Sequence, residues 1–151
     1  MKEAIANLGV FNLMMIFGII MLSFFVGSLG YSKAYKVKNR IINEIELEGE
    51  WNNSVSQNVE NYLADVGYRV DLDVKCPELK IDKADVATIS TNSSYKYCVY
   101  KITGKKNTSV NVNDVVYYRV MAYMYFDVPI VGDFIRIPVS GESKPFVKLN
   151  S

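Results

Sequence analysis

LGVFNLMMIFGIIMLSFFVGSLGYSKAYKVKNRIINEIELE, residues 8–48, is the stretch whose reading decides the fold of this chain. Its first part, to Tyr31, carries no charge, and the charge-free run extends from Ala4 to Ser32. A helix rising about 1.5 Å per residue crosses a hydrocarbon core with about 20 such residues, so the run is long enough to span a bilayer. Beyond Ser32 the pattern changes without a break. Val37, Ile41 and Ile45 recur four apart among Lys, Arg and Glu, the signature of an amphipathic helix, and the next glycine is Gly49. One continuous helix is expected, half in lipid and half in water, with the Val37, Ile41 and Ile45 stripe reserved for packing against a small domain.

A cleaved secretory signal would show a positive start, an apolar core of about 7–15 residues and an Ala-x-Ala-like site. Here Glu3 offsets Lys2, the core is longer, and Gly27-Ser28-Leu29-Gly30 follows instead. A retained membrane helix is the expectation. The chain then divides into a stalk, residues 1–48, and a domain, residues 49–151, large enough for its own core.

Composition narrows the functional classes. With 17 basic and 16 acidic residues the net charge is +1, which gives no electrostatic basis for a nucleic-acid partner. Lys33, Lys36, Lys38 and Arg40 nevertheless cluster just past the apolar run, as a polar collar at a membrane surface would. By the positive-inside tendency this collar places the domain in the cytoplasm. The two cysteines, Cys76 and Cys98, point the other way. An even pair flanking a polar loop, residues 80–97, reads as a disulfide in an extracytoplasmic domain, with two reduced cytoplasmic thiols as the alternative. A zinc site would want a third cysteine or a histidine, and the chain has neither.

After Gly49 a second, short helix is expected. Ser54 to Gln57 has the Ser-x-x-Gln form of a capping box, Val55, Val59, Tyr62, Leu63 and Val66 make one apolar face, and Gly67 suits a C-terminal cap. Strands follow at residues 68–74, 95–102 and 115–126, and 134–139 forms a hairpin with the third, Pro138 fitting an edge. FVKL, from Phe146, is a candidate last strand. The fold class is α+β: a long membrane-spanning helix continuing as an amphipathic one, a short helix, then a small antiparallel sheet covered by both helices.

This order resembles that of type IV pilins, and among them the TadE-like minor pilins and their uncharacterised Gram-positive relatives. The residues that carry the resemblance are the apolar helix, its continuation INEIELEGEWNNSVSQNVENYLADVGY, and the closing VMAYMYFDVPIVGDFIRIPVSGESKPF, residues 120–146. The resemblance implies a pilin-like fold, the N-terminus inside, the domain outside, and a subunit that packs with like subunits through its helix. It departs from the main pilin class at the processing site. Gly9-Val10-Phe11 stands where a Gly–Phe pair is expected, and Met14 where a glutamate would follow.

Ser23, Gly27, Gly30 and Ala34, spaced four, three and four, put small side chains on one stripe of the helix. Such a stripe lets another helix approach closely in lipid, although Gly and Ser are also common in membrane helices without any role. Catalysis finds no foothold. Without histidine the usual triads and most metal sites are excluded, and Ser140-Gly141-Glu142-Ser143 lacks the frame of a nucleophile elbow. Asp71 and Asp73, with Asp82 or Asp85, read as solvated strand residues rather than a calcium site. Tyr117, Tyr118, Tyr123 and Tyr125 read as cross-strand packing rather than a recognition surface. Asn52, Asn92 and Asn107 open Asn-x-Ser/Thr triplets, which matter only where the host glycosylates. No enzyme and no cofactor are expected. The expected partners are the membrane and like pilin subunits, in an oligomer serving a pilus, secretion or conjugation assembly. The alternative is a single-pass, membrane-tethered binding or sensing module.

Overall fold

The structure is a computed structural model that describes residues 2–68, 76–82, 84–89, 97–104, 115–124 and 137–147, with side chains from Gly9 onward. Its first element, α1, is one helix from Lys2 to Glu48, 47 residues and so about 70 Å long. No proline interrupts it. The Ser23 hydroxyl, a polar group inside the apolar run, donates to the Ile19 carbonyl at 2.8 Å and so satisfies itself within the helix. Gly49 ends α1 at φ +76°, its N–H returning to the Ile45 carbonyl at 2.8 Å. That left-handed position is where a glycine is least strained.

The two halves of α1 have opposite surroundings. Val10 to Phe25 is exposed throughout its large apolar side chains, Leu13 being 70% and Phe24 75% accessible. From Ala34 onward every turn buries a residue: Ala34, Val37, Lys38, Ile41, Ile42, Glu44 and Ile45. Val37, Ile41 and Ile45 enter one core with Val55, Val59 and Leu63 of the second helix and Val99, Tyr118, Val120 and Ala122 of the sheet.

The second helix, α2, runs Asn53–Asp65. Its cap is Asn52, whose Oδ1 accepts the Val55 N–H at 2.9 Å, not Ser54 as the Ser-x-x-Gln spacing suggests. Asn and Ser cap about equally well, so packing decides. A start at Asn52 brings Val55 into the first turn, where it is fully buried in register with Val59 and Leu63. The exit is a Schellman closure. The Tyr68 N–H reaches the Leu63 carbonyl at 3.0 Å and the Gly67 N–H the Ala64 carbonyl at 3.1 Å, with Gly67 at φ +60°.

The sheet is an antiparallel meander of β1 (Ala84–Ile89), β2 (Tyr97–Gly104), β3 (Val115–Met124) and β4 (Ile137–Glu142), with a two-residue β5 (Phe146–Val147) pairing the start of β3. Ser143 fills the gap between β4 and β5. Its N–H donates to the Tyr118 carbonyl at 2.8 Å and its Oγ accepts the Tyr118 N–H at 3.0 Å. On β3 the residues Val116, Tyr118, Val120, Ala122 and Met124 are all buried and face α1 with the period of two of a strand. Cys98, Tyr100 and Ile102 of β2 and Tyr123 of β3 are buried on the other face.

The segment between the cysteines is not only a loop. It contains the edge strand β1, with Asp85, Ala87 and Thr88 outward, and that low apolar content is what made it read as a loop. β4 runs further than expected, through Ser140-Gly141-Glu142, with Pro138 opposite Tyr123 on the strand at one end of the β1–β4 order. Residues 134–136, where the expected strand starts, lie outside the described residues. The strand expected at residues 68–74 lies outside the described residues apart from Tyr68, as do Asp71, Asp73, Asn92, Asn107 and Tyr125.

Candidate functional site

The features that bear on function gather where the bare half of α1 meets the foot of the sheet. Helical spacing puts Ser23, Gly27, Gly30 and Ala34 on the side of α1 that carries the domain. Ala34 is 1% exposed and packs with Met124 and Val139, so the chain's own sheet takes the top of the small-residue stripe. Gly30 is half-buried, while Ser23 and Gly27 line an open apolar groove of roughly 600 Å³. Its walls are Ile20, Ser23, Gly27 and Tyr31 on the helix and Met124 and Ile137 at the facing ends of β3 and β4. A helix from another copy approaching this stripe meets only its lower part.

The basic collar divides by environment. Lys33 and Lys36 are exposed, on turns whose buried residues are Ala34, Val37 and Lys38, and so point away from the sheet. Arg40 forms an ion pair with Glu44 at 2.7 Å, which Asn58 completes by donating to Glu44 Oε2 at 3.2 Å. Glu44 is 6% exposed, and these two partners compensate for its removal from water. Lys38 lies on the groove's side. Its stem covers Gly141, where an added Cβ would fall 2.8 Å from Lys38 Cδ, and its Nζ sits 4.2 Å from the centre of the Tyr35 ring. Tyr35 stacks with Tyr31, centroids 6.2 Å apart, and Tyr31 lines the groove. A side chain at 141 would thus displace the Lys38 stem and press on Ile42 Cδ1, 3.0 Å from the added Cβ.

On the opposite face of the sheet, Cys76 and Cys98 form a disulfide with Cα atoms 5.8 Å apart. It pins the segment from Cys76 onto β2, helped by the Tyr100 hydroxyl donating to the Pro77 carbonyl at 2.7 Å. Burial pushes the Tyr100 phenol up to about 12 and raises those of Tyr68 and Tyr123, because the phenolate would be the poorly solvated form. These tyrosines are framework groups. A second tie holds the sheet to the stalk: Glu46 Oε1 accepts the Lys144 backbone N–H at 2.9 Å, and Glu46 Oε2 lies 3.5 Å from Lys144 Nζ.

Among the described residues no three His, Cys, Asp or Glu side chains gather as a metal site would require. Asn52, the first of the Asn-x-Ser/Thr residues, is occupied as the α2 cap. Sequence reasoning missed the groove and the special place of Lys38. The spacing of Lys38 from Ala34 and Ile42 was the available signal, since it puts a lysine among buried positions. The exposed apolar half of α1 is long and apolar enough to cross a membrane and is compatible with a membrane anchor. No family model matches the chain, and no curated protein and no solved structure matches it significantly.

Proposed function

We propose that this chain is a structural, non-catalytic subunit of a cell-envelope assembly: a single-pass protein built like a TadE-type minor pilin, with its sheet domain on the extracytoplasmic side. The observation that carries this reading is the continuity of α1. One rigid helix is bare and apolar below Phe25 and clasped by a sheet from Ala34 upward. Nothing flexible separates the two halves, so a force or a contact acting on one is transmitted to the other. A tether for a freely moving module needs no such continuity. The disulfide supports the outward placement of the domain, because such bonds persist in oxidising compartments. The collar argues the other way, but Lys38 is buried against β4 and Arg40 is paired with Glu44, which leaves Lys33 and Lys36 exposed with no ion pair among the described residues.

The exposed surface of Val10 to Phe25 supplies the means of association, since helices in lipid assemble by packing of complementary surfaces. The full chain, extracted with its surrounding lipid into a polymer-bounded disc, tests this. The expected masses are multiples of the 17.1 kDa chain. A uniform monomer at cellular abundance would contradict the subunit reading and favour a tethered binding module.

A further inference from the structure

We propose that the groove between α1 and the foot of the sheet holds one anionic phospholipid, an acyl chain lying between Ile20, Gly27, Met124 and Ile137 and its phosphate drawn to Lys38. The inference rests on α1 crossing the membrane. A span of about 20 residues placed anywhere in the charge-free run Ala4–Ser32 includes residues 13–23, so the lower helix wall, at Ile20 and Ser23, is at acyl-chain depth. The groove's described walls are apolar and its helix wall reaches that depth, whereas the groups above its upper end are polar. From Tyr31 the stacked Tyr35 leads to the Lys38 ammonium, 4.2 Å from the Tyr35 ring.

Side chains on a helix lean toward its N-terminus, here the membrane, so Lys38 reaches down toward the headgroup region while its stem stays on Gly141. No carboxylate among the described residues pairs with Lys38, unlike Arg40. Apolar walls below and a cation above complement a negatively charged lipid. A second copy's transmembrane helix, charge-free from Ala4 to Ser32, would fill the walls but bring no counter-charge to the ammonium.

Bromine-labelled acyl chains quench nearby tryptophan and so read occupancy. The full chain is placed in vesicles of phosphatidylcholine and phosphatidylglycerol, with only one of the two brominated at a time. Trp51, the one natural tryptophan, packs on Tyr97 in the domain and supplies a constant background. Ile137→Trp, at a position 46% exposed, should be quenched several-fold more by brominated phosphatidylglycerol than by brominated phosphatidylcholine. Lys38→Met, which keeps the stem, should abolish that preference, Lys38→Arg should preserve it, and Lys33→Gln with Lys36→Gln should leave it in place. Equal quenching by both lipids, or none at position 137, overturns the proposal. So does a disulfide between cysteines introduced at Phe24 of one copy and Ile137 of another, which would make the occupant a second chain. Leu13→Trp separates the two readings. If it is quenched and Ile137→Trp is not, only the lipid site falls; if Leu13→Trp is also unquenched, the membrane anchor falls with it.

Discussion

The Tyr68 hydroxyl accepts the backbone N–H of Tyr123 at 2.8 Å and donates to the carbonyl of the same residue at 3.1 Å. One side chain thus satisfies both polar groups of a strand residue, as a neighbouring strand would. Tyr118 turns its N–H and carbonyl toward Ser143, on the β4 side, so alternation directs those of Tyr123 to the β2 side. Described pairing with β2 begins one residue earlier, at Tyr97 opposite Ala122. Tyr68 also closes the end of α2, so this contact fixes the angle between α2 and the sheet.

Tyr68→Phe removes the hydroxyl and leaves a buried N–H and a buried carbonyl without that partner. The expected loss is about 1–3 kcal/mol, read as a lower urea midpoint with an unchanged slope. An unchanged midpoint would mean that another group takes over at Tyr123.

Alkaline pH tests the same framework. Tyr100 titrates near 12 in the folded chain, and Tyr68 is raised as well, against about 10 when unfolded. The folded state therefore holds these protons more tightly. Its advantage is complete below pH 10 and is lost as pH rises from 10 through about 12. Thermal scans of the oxidised domain should fall steeply over that window, and less steeply for Tyr68→Phe and Tyr100→Phe. Identical slopes in all three would refute the assignment.

The stalk-to-sheet contact gives a paired comparison. Ile41→Ala should cost about 2–5 kcal/mol, because the side chain is fully buried and a cavity would remain. Leu47→Ala, at a position 80% exposed, should lie within about 0.5 kcal/mol of the parent. Equal effects would show that α1 is not held against the sheet by this stripe.

The disulfide closes residues 22 apart. Replacing Cys76 and Cys98 with alanine should lower stability by roughly 3 kcal/mol in the chain-entropy model. Protein taken from its native compartment should show no free thiol at either position before reduction, and labelling at both would return the domain to the cytoplasm.

Much of this architecture is legible in the residues themselves, and the exceptions have physical reasons. The long helix could be read because no proline or early cap competes with its pattern, and Val37, Ile41 and Ile45 because a buried stripe repeats every turn. Strand β1 was hidden because only Ala84, Val86 and Ile89 of its six residues are partly withdrawn from solvent, while Asp85, Ala87 and Thr88 are exposed. Asn52 displaced Ser54 as a cap because two adequate caps lay within a turn and the core chose between them. Ala34 illustrates the remaining difficulty. Small residues on a helix signal close approach but not by what, and here the sheet's Met124 and Val139 arrive at that position. The groove is further from the sequence still, since it depends on the height along α1 at which β3 and β4 end.

The claim that α1 crosses the membrane and packs with like copies is tested most directly by cysteine scanning from Val10 to Phe25, one position at a time, in the membranes of the native host. The native disulfide stays oxidised and silent in this experiment. Intersubunit crosslinks should rise and fall with a period near 3.6 residues, marking the contact face. Absence of crosslinking at every position would contradict the account and leave a monomeric, tethered domain in its place.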